Sequence, residues 1–130
     1  MNRKPILVVL GLALLAPPSS LTETTIPARI YSNVEYFEEG GDLVGFELSL
    51  RVQGSVAHGE FRDYEGGCGI KTEIVGTMKG RTIQLRGKSD TSQLGIDGRF
   101  DGGVLNATIK IGANAELQKV RLKPIPSPHC

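Results

Sequence analysis

Five carboxylates crowd one short stretch, Glu35, Glu38, Glu39, Asp42 and Glu47, and form the densest group of chemistry-bearing side chains in the chain. Grouped carboxylates offer oxygen ligands to calcium or countercharge to a basic protein. Their spacing departs from the calcium loop, in which oxygen ligands recur at alternate positions and a distal glutamate closes the set. A solvated, charged turn that keeps a strand edge soluble is the plainer account. Glu35 and Glu47 are also a carboxylate pair of the type that hydrolyses glycosides, but nothing near either marks it as buried with a raised pKa. The expectation is therefore a partner-binding surface at Glu35, Glu38, Glu39, Asp42 and Glu47, with no catalytic or metal role.

His58 and His129 are the only histidines, so any triad or zinc site must use one of them. His58 shares a strand phase with Val56, Glu60, Arg62 and Tyr64, a phase expected to face solvent. Joined to Cys68 and Cys130, the two histidines would make a zinc-type ligand set. In an exported protein, however, two cysteines most simply form one disulfide. No Gly-x-Ser-x-Gly elbow and no phosphate-binding glycine loop occurs. Neither an enzyme nor a cofactor is expected.

Export is expected because Asn2, Arg3 and Lys4 precede an apolar run from Ile6 to Ala16, with Pro17, Pro18, Ser19 and Ser20 behind it. The run is about half of the roughly 20 residues that span a bilayer. Residues 1–20 therefore read as a secretory signal peptide and 21–28 as a short linker. No later stretch is apolar for long enough to cross a membrane. Cleavage removes two of the 15 basic residues, Arg3 and Lys4, against 14 acidic ones, and leaves a nearly neutral chain. Near-neutrality without a basic run argues against nucleic-acid binding.

The elements that must position these residues are strands. Val44, Phe46, Leu48, Leu50 and Val52 alternate with Gly45, Glu47, Ser49 and Arg51, the two-residue period of a half-buried antiparallel strand. The same period covers Ile30–Phe37, Val56–Tyr64, Ile70–Met78, Thr82–Gly87, Leu94–Phe100, Leu105–Ile111 and Leu117–Leu122, with turn residues between them, Ser89 and Asp90 included. About eight strands with short connections predict an all-β antiparallel meander over 29–123 that closes into a small barrel, a flattened β-sandwich being the alternative. Glycines inside the strands, such as Gly45, Gly59 and Gly76, suit a sheet that coils sharply. The inward set predicted from phase includes Val44, Phe46, Leu48, Leu50, Ile70, Ile74, Ile83, Leu85, Ile96, Ile109, Val120 and Leu122, enough branched aliphatics to fill a small barrel.

Residues 124–130 form a Pro-rich tail with extended, polyproline-like bias, about 3.1 Å per residue. An even strand number ends the last strand at the rim opposite the Cys68 turn. The tail is therefore expected to climb the barrel wall and pin Cys130 to Cys68. A bond from Cys130 to a second chain is the alternative.

The opening Tyr31-Ser32-Asn33-Val34-Glu35-Tyr36, followed by Glu38-Glu39-Gly40-Gly41-Asp42-Leu43-Val44-Gly45-Phe46-Glu47, resembles that of a group of short exported bacterial β proteins of unknown function. The resemblance implies a bacterial, periplasmic setting and contributes no activity. In size, signal and one disulfide the chain is also similar to small periplasmic barrels that inhibit lysozyme, a likeness of fold that does not carry function. Two readings follow. One is a monomeric, non-enzymatic binding or envelope-protection protein that offers its acidic hairpin to a basic protein; the other is a carrier of a small apolar ligand inside the barrel.

Overall fold

Alternating apolar and polar side chains make each strand two-faced, and burying one face of every strand at once requires the sheet to close on itself. The computed structural model describes residues 26–87 and 93–130. The expected signal peptide, most of the linker and the Ser89–Asp90 turn lie outside the described residues. Nine strands run in order: β1 (Arg29–Ser32), β2 (Glu35–Phe37), β3 (Asp42–Gln53), β4 (Val56–Gly66), β5 (Ile70–Lys79), β6 (Thr82–Gly87), β7 (Leu94–Asp101), β8 (Val104–Ile111) and β9 (Gln118–Ile125). From β2 to β9 each strand pairs antiparallel with the next, and β1 pairs with both β9 and β3. Eight strands thus close a barrel, and β2 is one strand more, carried outward on β3.

The expected single strand Ile30–Phe37 is in fact β1 and β2, parted at Asn33–Val34. Side chains take over the backbone bonding there: Phe46 N donates to Asn33 Oδ1 at 2.7 Å and Val34 N to Ser32 Oγ at 3.1 Å. Gly45, with φ 138°, makes the kink feasible, since a Cβ there would lie 2.8 Å from Val34 Cα. β1 turns away to meet β9 and seal the barrel, while β2 follows β3 past the mouth. Gly59 serves the coiling, because a Cβ on it would collide with the Ser49 carbonyl of β3.

Leu48, Ile83, Leu85, Ile96, Leu105, Ile109 and Leu122 are fully buried inside, with Leu50, Phe61, Ile74 and Leu94 nearly so. Two predicted inward residues do not join them. Ile70 is 80% and Val44 44% exposed, because β3, β4 and β5 extend past the closed part of the barrel and their inner face has nothing opposite. The tail also starts later than 124: Tyr31 pairs with Pro124 and Ile30 with Ile125. Pro124 is tolerated because the β8 pairing of β9 has ended at Leu105–Leu122, so no β8 partner waits for its missing N–H.

Candidate functional site

The tail beyond Ile125 crosses the outside of β1 and β3, and Cys130 is disulfide-bonded to Cys68 in the β4–β5 connection, with Cα atoms 5.9 Å apart. The bond is intramolecular, as the climbing tail predicted, and closes a loop with a sequence separation of 62. Beneath it lies a buried polar cluster on the outer face of the barrel. Tyr64 Oη donates to Glu47 Oε1 at 3.0 Å, the His129 amide donates to the same oxygen at 3.1 Å, and His129 Nδ1 lies 2.5 Å from Oε2. The Tyr64 ring meets His129 edge-on, 6.0 Å between centroids. Burial works to raise the Glu47 pKa, but the bonds from the His129 ring and amide, Ser32 and Tyr64 outweigh it and hold the carboxyl below its ordinary range. An ionised carboxylate can only accept, so Nδ1 carries the hydrogen that faces it. Burial, then the bond to Glu47, pushes the Tyr64 hydroxyl up.

Glu47 therefore stands apart from the carboxylates it was grouped with. It is 4% exposed and its oxygens are taken. Tyr64, expected to face solvent with His58, does point outward but is fully buried under the tail. The available clue was a tyrosine sharing the outward phase with Glu47 in a chain whose cysteine-ended tail had to cross that wall.

Glu35, Glu38, Glu39 and Asp42 do come together, on the flap formed by β2 and the outer ends of β3 and β4. Register puts Glu35 opposite Val44 and Val44 opposite Glu65, so these three share one face. Phe37 faces Asp42, and Asp63 lies between Phe46 and Ile70. Tyr36 is 62% and Phe37 50% exposed. Among the described residues no ion pair engages Glu35, Glu38, Glu39, Asp42, Asp63 or Glu65. Burial, reinforced by the neighbouring Glu65 charge, raises the Asp63 pKa. On this flap exposed aromatics are interleaved with carboxylates that no ion pair among the described residues engages.

The opposite rim has the other sign. It gathers the β3–β4, β5–β6 and β7–β8 connections with the start of β1 and the end of β9, and carries Arg29, Arg51, Lys79, Arg81, Arg99 and Lys123 against Asp101. Asp101 pairs with Arg81 at 3.8 Å and Arg99 at 3.6 Å. Within this rim the barrel mouth holds an apolar hollow of about 290 Å³. A second hollow of about 400 Å³ lies at the flap end, between Phe61, Asp63, Ile70 and Leu94. Between the two mouths the interior is filled by Leu48, Ile74, Ile83, Leu85, Ile96, Leu105, Ile109 and Leu122.

No group of three or more His, Cys, Asp or Glu that could hold a metal ion occurs among the described residues, and no helix there is long and apolar enough to cross a membrane. The fold and site define a small antiparallel β-barrel with a disulfide-pinned tail, a carboxylate-bearing flap and a rim rich in Arg and Lys. Compared with known proteins, the chain matches no family model, no curated protein and no solved structure.

Proposed function

We propose that this chain is an exported, non-enzymatic binding protein of the bacterial periplasm that works as a monomer and captures a basic protein on its acidic flap, in keeping with an envelope-protection role. The observation that carries the reading is the combination of exposed Tyr36 and Phe37 with carboxylates that no ion pair among the described residues engages. An incoming Lys or Arg would find uncompensated charge there, and the aromatic rings would supply apolar area beside it. The intramolecular disulfide supports an oxidising destination. Capture of lysozyme, as the basic probe, by surface-bound barrel at low and moderate salt tests this. Replacing Glu35, Glu38 and Glu39 by Gln together with Asp42→Asn is expected to weaken capture about tenfold or more and to flatten its salt dependence. Unchanged affinity and salt slope would remove the electrostatic reading. The carrier of a small apolar ligand is the second reading, and the apolar hollows at the two mouths are what favours it.

A further inference from the structure

The apolar hollow within the basic rim is lined by Leu50, Val52, Met78 and Phe100, with Tyr31 as its floor and Arg29 at its edge. Tyr31 is 8% exposed, its ring tilted against Phe100 at 5.2 Å between centroids. No hydrogen bond to its hydroxyl is formed by the described residues, an arrangement that costs free energy until a partner arrives. Arg29 is exposed and free of any ion pair among the described residues. Its neighbour Arg51 donates through Nε to the Ile26 carbonyl at 3.0 Å, which holds the incoming chain against this edge.

We propose that this mouth binds a free single-chain anionic amphiphile of the fatty-acid class. The chain lies on Leu50, Val52, Met78 and Phe100, and the carboxylate is held by the Arg29 guanidinium and the Tyr31 hydroxyl. A hollow of about 290 Å³ sits at the lower bound of the roughly 300–1,000 Å³ usual for small-molecule pockets, so a medium chain fits and a two-chain lipid does not. The positive rim excludes a cationic head, and the apolar wall gives a purely polar anion little to hold. This site is independent of the flap and stands at the other end of the barrel.

Calorimetric titration of the exported protein with decanoate, decyltrimethylammonium and acetate, all below micelle-forming concentration, tests the assignment. Decanoate is expected to bind at least tenfold more tightly than the cation of equal chain length, and acetate not at all. Arg29→Glu, a surface change that leaves the core intact, is expected to abolish that preference. Tyr31→Phe should weaken decanoate about tenfold or more, the loss of one hydrogen bond to a charged group. Equal binding of the two chain-bearing ions, unchanged binding by Arg29→Glu, or no binding of decanoate overturns the proposal. Cosedimentation with anionic phospholipid vesicles in the absence of decanoate binding overturns it too, because the bilayer would then be the target. The flap variant serves as the control and should bind decanoate like the wild type, so failure of either reading leaves the other standing.

Discussion

The two ends of the barrel are built from the same strands and differ in how those strands stop. At the basic rim they end together at tight hairpins, and the Tyr31 and Phe100 rings pack against each other at the hollow of that mouth. At the acidic end β3 and β4 run on past the point where β1 leaves them, and the flap they make with β2 has its inner face open. The basic end is stabilised by the core beneath it. The flap end depends on an external brace, the tail that crosses β3 and is bonded to Cys68. Where closure supplies no core, a small domain substitutes covalent and charged contacts.

Removing the brace is the strongest way to break this contrast. Cys130→Ser is expected to cost about 4 kcal/mol on the chain-entropy account of a loop of this size, read from urea unfolding. Hydrogen exchange should show the loss first in β3 and β4 around Glu47 and Tyr64, with the interior of β6–β8 still protected. Uniform loss along the barrel would mean that the tail acts on the whole fold and that the ends are not separately held.

Glu47→Gln sharpens the same point by one atom. Its charged bonds to His129 and Tyr64 are weakened, at a cost of about 2 kcal/mol at neutral pH. The folded pKa of Glu47 lies below the ordinary 4.5, so the stability it contributes is present above that value and disappears as pH falls through the lowered one. Wild type and variant should therefore differ at pH 7 and converge in acid. A difference that persists undiminished at pH 2 would show that packing, and not ionisation, holds the tail.

Salt distinguishes the ends in function. Capture of lysozyme at the flap should weaken about tenfold when its four carboxylates are neutralised, and rising salt should have the same direction of effect on the wild type. The smallest effect belongs to Asp63. Its pKa is raised by burial and by Glu65, so its ionisation works against folding once pH rises above the ordinary 3.8 and through the raised folded value. Asp63→Asn should therefore stabilise the protein slightly at pH 7, by less than about 1 kcal/mol after solvent screening, and not at all in strong acid. A destabilised variant at pH 7 would mean that Asp63 makes a bond worth more than its charge costs.

Much of this molecule was legible in local pattern. The alternation at Val44–Val52 and its repeats placed the strands, short turns made them sequential neighbours, and an even strand number placed the last strand's end opposite Cys68, which is why the tail's path and the disulfide could be expected. Period alone identified β3 because a strand's two faces alternate whatever it packs against. It could not reveal that Ile70 would lie bare while Phe61, one strand earlier, would be buried, since exposure depends on what stands across the barrel. Nor could it separate Glu47 from Glu35, Glu38, Glu39 and Asp42: five acids close in sequence are alike until a tail from far along the chain covers one of them. The basic rim was equally hidden, because a nearly neutral total says nothing about sign by position, and the turns that bring Lys79, Arg81 and Arg99 to one rim are adjacent only once the sheet closes. Sequence period is a property of neighbours along the chain, and burial, pairing and field are properties of neighbours in space; the first determined the strands, and closure of the barrel decided the rest.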